Sequence, residues 1–197
     1  MLRILSNSLL LLWLSFMLAA VIQMHRPADI ERLQGLDAPT ARTTTAPVLL
    51  DRMEQAVFRR NAELQITEAE ANRYLASVLE GRQAFTQFTG AHFERLALDF
   101  EANECRVLMA WNGPTGRQAT ASLDFTIDRR GEQFIIEPRN GAYGRLPLPR
   151  GMMCALLPSL KSLTKGLDVE IYTLFQMNKI RFEKDRLILD PRSEALK

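Results

Sequence analysis

The sequence predicts an α+β protein in which an N-terminal transmembrane helix precedes one folded domain. An uncharged, strongly apolar stretch lies near the N-terminus. Two later segments repeat apolar residues at helical spacing, and the spacing then changes to the two-residue alternation of β-strands. The 197 residues are 47% hydrophobic and 24% charged, which fits one globular domain and excludes a wholly disordered chain.

Residues 1–26 are predicted to be an uncleaved signal anchor. No residue from Ile4 to Met24 is charged, and as a helix this stretch is about 31 Å long against a hydrocarbon core of about 30 Å. Arg3 and Arg26 flank it, as membrane-edge residues do. A cleaved signal peptide and a buried core helix are the alternatives, but the stretch lacks a good small-x-small cleavage site. Arg3 and the α-amino group slightly favour a cytoplasmic N-terminus, whereas Arg26 and Arg32 lie on the other side of the stretch, partly offset by Asp29 and Glu31. We therefore expect a single-pass protein with most of the chain on the periplasmic side.

Residues 27–47 have the composition of a linker, either a stalk or an arm that lies along the domain surface. They contain Gly35, Pro39 and three successive threonines. The domain is predicted to occupy residues 48–197 and to begin with a helix over Val48 to Arg60, because Leu49, Leu50, Met53 and Val57 recur at helical spacing. Pro47 is acceptable in its first turn.

A second helix is predicted after residue 67. Thr67 and Glu70 have the spacing of a capping box, in which each side chain satisfies a backbone amide of the other. An apolar stripe follows, and Gly81 ends the helix. The stripe consists of Ala71, Tyr74, Leu75, Val78 and Leu79.

An antiparallel meander of about five strands is predicted next. Apolar residues alternate around a turn at Asn103, which indicates a hairpin, and the clearest alternation runs from Ala119 to Ile127. A strand over Phe134 to Glu137 is expected to end at the hairpin dipeptide Asn140-Gly141. We expect one face of the sheet to form the core and the other to face solvent.

A long, deeply buried apolar helix is predicted from Pro149, with a kink at Pro158. The C-terminal part, Val169 to Phe175 and then Ile180 to Leu189 with a turn inside it, is interpreted as further strands.

Composition argues against several classes of function. The formal charge of +2 arises within the first 26 residues, so the domain is not basic in the way that nucleic-acid binding requires. Cys105, Cys154 and two histidines are too few and too scattered for a zinc site. The cysteines are expected either to pair in an oxidising compartment or to remain buried free thiols.

The sequence also shows no catalytic signature. No Ser or Cys lies in a nucleophile-elbow setting near His92, and Asp99 and Glu101 are explained by a solvated sheet face. We therefore predict that the protein is not an enzyme and has no cofactor and no metal. A hydrolase assembled from distant residues is the alternative.

Two features indicate a contact surface. No acidic residue lies between Glu137 and Asp168, whereas arginines do, which suggests a basic surface for anionic head groups or an acidic partner; alternatively, folding disperses these charges. The apolar strand faces and the methionines after Pro149 suit either a lipid groove or a dry core. The residues expected to contact a lipid or a partner are Trp111, Leu123, Phe125, Met152, Met153, Arg139, Arg145 and Arg150.

Over about residues 65 to 190 the chain resembles bacterial membrane-anchored domains of the tubular lipid-binding type. The resemblance rests on the anchor, Thr67-Glu68-Ala69-Glu70 with Leu75 and Leu79, the Gly144–Pro149 entry to an apolar helix, and the Lys179–Leu189 hairpin. It implies a curved antiparallel sheet around a long helix, with an apolar groove for acyl chains. Pro158 departs from that pattern.

The leading functional prediction is an accessory or scaffolding subunit of an envelope or membrane complex. Its partners would be the membrane and integral membrane proteins. The alternative is a lipid-binding or lipid-transfer domain with an apolar groove between the sheet and the predicted third helix.

Overall fold

The computed structural model describes residues 2–30, 33–36, 45–80, 92–113, 116–130, 133–155 and 166–192, and the fold is α+β as the sequence predicts. The helices are α1 (Leu2–His25), α2 (Thr45–Arg59), α3 (Glu68–Glu80) and α4 (Asp168–Phe175). The strands are β1 (Leu64–Thr67), β2 (His92–Glu101), β3 (Glu104–Asn112), β4 (Gln118–Arg130), β5 (Gln133–Tyr143), β6 (Leu146–Pro147), β7 (Lys179–Glu183) and β8 (Arg186–Asp190).

The strands form two antiparallel sheets. One is the predicted five-stranded meander in the order β2-β3-β4-β5-β6, and the other has the order β1-β8-β7. Asn103 and Asp185, at the two tight turns, have φ values of 67° and 62°, a conformation that Asn and Asp tolerate better than most residues. The hairpins predicted around these positions are confirmed.

The predicted capping box is also confirmed. The amide of Thr67 donates to Glu70 Oε2 at 3.2 Å, and the amide of Glu70 donates to Thr67 Oγ1 at 3.2 Å. These bonds satisfy backbone donors that the first turn of α3 leaves without helical partners. Pro47 lies in the first turn of α2, where the sequence places it.

The prediction of a turn at Asn140-Gly141 is wrong, because both residues lie inside β5. The chain turns instead at Gly144, which has a φ of 60°. A Cβ on Gly141 would lie 3.1 Å from Cγ of Met153. Gly141 thus allows Met153 to approach the strand. Glycine is needed here for this tertiary contact, although Asn-Gly in a sequence usually indicates a turn.

The strand prediction for Val169 to Phe175 is also wrong, since α4 occupies this region. Its β-branched and aromatic residues favour a strand locally, but two acidic residues stand in its first turn, where the helix dipole favours them. Ile171 and Leu174 pack against the core. Tertiary contacts therefore override the local preference.

The segment after Pro149 begins with a 3₁₀-helix over Arg150–Ala155. Met153 is buried and Met152 is exposed, so this first part is not buried on all sides. Pro158 and the rest of the predicted long helix lie outside the described residues. Strand β1 was not anticipated, because four residues give too short an alternation; its register is set by pairing with β8.

The core lies between the two sheets and the helices α2 and α3. Phe182 joins the sheets, with its ring centroid 5.8 Å from that of Phe100 and 6.2 Å from that of Phe125. Cys105 is a free thiol in this core, and burial raises the pKa of that thiol far above its ordinary value. It therefore packs as a small apolar side chain.

Candidate functional site

Helix α1 is apolar, and most of its length is exposed. Residues Ser6–His25 are long and apolar enough to cross a membrane, and none of this stretch is buried within the protein. Large side chains such as Trp13 and Phe16 are exposed. In water this exposure would be costly, whereas a bilayer accommodates it.

The C-terminal end of α1 is bound directly by the turn between β5 and β6. The amide of Arg145 donates to the carbonyl of Gln23 at 3.0 Å, and Arg145 Nε donates to the carbonyl of Pro27 at 3.2 Å. A helix leaves its last four carbonyls without helical partners. Here the domain supplies a donor, so α1 and the sheet meet at a defined contact.

Gly144 makes this contact possible. Its φ is 60°, and a Cβ built on it would lie 2.6 Å from the carbonyl oxygen of Arg26 and 2.8 Å from that of Gln23. Its own amide donates to the carbonyl of Thr120 at 2.7 Å. A larger residue would be strained and would also collide with the backbone of the helix end.

After α1 the chain crosses the sheet as a segment that we call the strap, described at residues 26–30 and 33–36. The amide of Ala28 donates to Thr120 Oγ1 on β4 at 2.7 Å. Leu33 is buried with Ala97 of β2 and Leu108 of β3. Thus the strap covers the sheet face opposite the core, and the prediction that this whole face meets solvent is wrong.

The strap ends against the first turns of α3. Gly35, at a φ of 83°, lies so close to this helix that a Cβ would stand 2.6 Å from the carbonyl oxygen of Ala69. The amide of Gln34 donates to Glu68 Oε1 at 3.0 Å, and Asn72 Nδ2 donates to the carbonyl of Gln34 at 2.9 Å. Of the predicted linker, this part therefore packs on the domain surface.

Glu68 and Asn72 also bind the edge strand β2. Glu68 Oε2 accepts the amide of Phe100 at 3.1 Å, while the Asn72 carboxamide bonds both backbone groups of Leu98. Each side chain therefore joins the strap, α3 and the five-stranded sheet. Burial raises the pKa of Glu68, and its two backbone donors oppose that increase.

A charged row lies on the strap side of the sheet. Arg106 is bonded to the buried Asp124 at 2.7 Å and lies 3.4 Å from Asp99. Burial raises the pKa of Asp99, with Arg106 opposing it, and the bond to Asp124 raises the pKa of Arg106. Pairing across three neighbouring strands explains Asp99 as a structural residue.

The predicted contact residues do not form one surface. Arg145 lies at the junction with α1, whereas the ring of Trp111 stands 5.7 Å from that of Tyr143 and packs against the core. Leu123 pairs with Gly141 in the register, beneath Met153. The remaining residues are dispersed: Phe125 is half-buried against Phe182, Arg139 and Met152 are exposed, and the Arg150 side chain lies outside the described residues.

Sequence reasoning missed Leu33, Glu68, Asn72 and Thr120 as residues that hold the junction and the strap. Glu68 and Asn72 are four residues apart and so share a helix face, which was a usable signal. Nothing local, however, indicates that this polar pair is buried.

A concave feature lies on the three-stranded sheet. It is an open cleft of about 330 Å³ whose lining residues are Glu63, Asn178, Lys179, Arg181, Ile188, Asp190 and Arg192. Arg192 is paired with Glu63 and with Asp190, each at 2.8 Å. These ion pairs account for much of the charge of the residues that line the cleft. Among the residues described above, no three His, Cys, Asp or Glu side chains are grouped to hold a metal ion.

No protein-family model matches the chain, and no curated protein is significantly similar to it.

Proposed function

We propose that the protein is a non-enzymatic, membrane-anchored subunit that holds its α+β domain in a fixed orientation at the bilayer surface. In this role it acts as an accessory or scaffolding component of an integral membrane protein complex. The observation that carries the proposal is the bonded contact between the end of α1 and the Gly144-Arg145 turn.

A flexible tether and a fixed one suit different tasks. A flexible linker restricts a domain only to a volume near the membrane. The strap instead packs Leu33 beneath the surface and bonds Ala28 and Gln34 to the domain. A domain oriented in advance loses less freedom when it binds a neighbour in the same membrane, which favours a scaffolding role.

The proposed topology places the N-terminus in the cytoplasm and the domain on the periplasmic side. Arg3 and the α-amino group support it through the preference of positive charges for the cytoplasmic side. A reporter enzyme that folds only outside the cytoplasm, fused after Lys197, should be active. Activity of a cytoplasmic reporter at the same position would reverse this topology.

Purification of the tagged full chain in a mild detergent tests the scaffolding role. We expect a membrane protein to co-purify in a fixed ratio with the wild type and with Gly151→Ala, whose added Cβ meets open space. Gly144→Ala should recover less of it, because the anchor remains but the orientation is lost. Recovery of the wild type as a free monomer alone would overturn the proposal.

A lipid-binding domain is the second proposal, and one juxtaposition favours it. Met153 approaches Gly141, which pairs with Leu123 in the register, and both Met153 and Leu123 are predicted to line a groove. A photoactivatable fatty acid added to the full chain should then label Met153 or Leu123. Labelling confined to α1 would oppose it.

A further inference from the structure

We propose that Arg26 and Arg145 form a binding site for the phosphate of an anionic phospholipid, in the leaflet next to the domain. The proposal rests on the membrane anchoring proposed above. It assigns a ligand class to the junction that anchoring alone does not require.

The depth of both residues in the membrane follows from the helix. The span Ser6–His25 contains 20 residues, which gives about 30 Å, the thickness of the hydrocarbon core. Arg26 follows directly. The bond of 3.0 Å between the amide of Arg145 and the carbonyl of Gln23 fixes the Arg145 backbone at the same level. Both residues therefore lie at the edge of the hydrocarbon core, within side-chain reach of the lipid phosphates.

The two arginines are available to a ligand. Both side chains are exposed, and among the described residues the Arg145 guanidinium bonds Pro27 through Nε. A planar guanidinium donates two parallel hydrogen bonds to a phosphate, so two arginines at one depth suit a lipid head group.

The surroundings fit the membrane interface. Tyr143 precedes Gly144, and its ring packs against Trp111 with centroids 5.7 Å apart. Tyr and Trp are enriched at the level of lipid head groups. The pair lies one residue before the turn that binds α1, and both rings also pack against the core cluster that contains Leu75 and Met109.

Native mass spectrometry of the full chain in detergent micelles tests the site with phosphatidylglycerol and phosphatidylcholine as probes. We expect the wild type to prefer phosphatidylglycerol, and Arg145→Gln or Arg26→Gln to weaken its binding about fivefold each, since one arginine near a membrane surface contributes about that factor. Arg145→Lys should keep part of the preference, because it keeps the charge but loses the paired hydrogen bonds of the guanidinium. Arg181→Gln, on the exposed face of β7, should leave it unchanged.

Three results would overturn the inference. The first is equal binding of the two lipids by the wild type. The second is a preference for phosphatidylglycerol that survives in the double variant Arg26→Gln/Arg145→Gln. The third is displacement of phosphatidylglycerol by inorganic phosphate to a greater extent than by chloride at equal ionic strength. The last would indicate a site for a free anion. Alkaline extraction of membranes that contain each variant distinguishes failure of this inference from failure of the proposed function. Release of the wild-type protein from the membrane would refute the anchoring itself.

Discussion

Asn72 and Leu98 exchange two hydrogen bonds in the way that neighbouring strands do. Asn72 Oδ1 accepts the amide of Leu98 at 2.7 Å, and Asn72 Nδ2 donates to the carbonyl of Leu98 at 2.9 Å. The second proton of the same nitrogen reaches the carbonyl of Gln34. Asn72 is fully buried, so one carboxamide closes an open strand edge and holds the end of the strap.

Asn72→Asp should destabilise the protein by about 3 kcal/mol or more, because a carboxylate lacks the two donors that Leu98 and Gln34 require and is itself costly to bury. Denaturant unfolding of the full chain measures this. Asn61→Asp, at an exposed position, should change the free energy of unfolding little. Equal effects of the two variants would contradict the bonding described for Asn72.

Gly144→Ala should separate α1 from the sheet. The alanine would have to adopt a left-handed backbone conformation, and its Cβ would collide with carbonyl groups of the helix. As a result, the amide hydrogen of Arg145 should exchange with solvent faster than in the wild type. Gly116→Ala is the matched control, since its φ is 71° but its Cβ would meet open space; it should cost only about 1 kcal/mol of backbone strain. Unchanged exchange at Arg145 in Gly144→Ala would show that the contact is not required.

Leu33→Ala should loosen the strap. Removing a buried leucine side chain costs about 2–5 kcal/mol when the surroundings cannot close the space, and we expect faster proteolysis between residues 26 and 36. Gln34→Ala serves as the control. Its backbone makes the bonds to Glu68 and Asn72 and its side chain is exposed, so cleavage should stay at the wild-type rate.

Glu68→Gln should change how stability depends on pH. Burial raises the pKa of Glu68 in the folded state above its ordinary value of 4.5. The folded state therefore holds the proton more tightly, and the wild type should lose stability as the pH rises from about that value through the raised pKa. Glutamine does not titrate. The stability of the variant relative to the wild type should increase over this range in denaturant titrations, and a constant difference would refute the shift.

Periodicity predicts much of this fold because its elements are amphipathic. The stripe on α3 and the alternation in β2 to β4 each follow from one apolar face, and the capping box at Thr67 fixes where α3 begins. Errors occur where distant contacts decide the structure. Gly141 lies in a strand because Met153 approaches it, and Val169–Phe175 forms a helix because its inner residues reach the core.

The candidate site was less predictable than the fold. The sequence marks Arg145 as a contact residue, but its position beside α1 depends on the turn at Gly144, whereas the sequence predicts the turn earlier, at Gly141. The strap has the composition of a linker. Only the structure shows Leu33 between Ala97 and Leu108 and the close approach of Gly35 to Ala69.

The bond between the Gly144-Arg145 turn and the last turn of α1 fixes the rotation of the domain about the helix axis. One residue inserted into the middle of α1 would rotate the domain by about 100° about the helix axis and shift it by about 1.5 Å. Such an insertion would not change the orientation of a loosely tethered domain. The direction in which the domain faces therefore depends on its rotation about the axis of this hydrophobic helix. If one side of the helix meets a neighbour, that contact decides which side of the domain faces the neighbour.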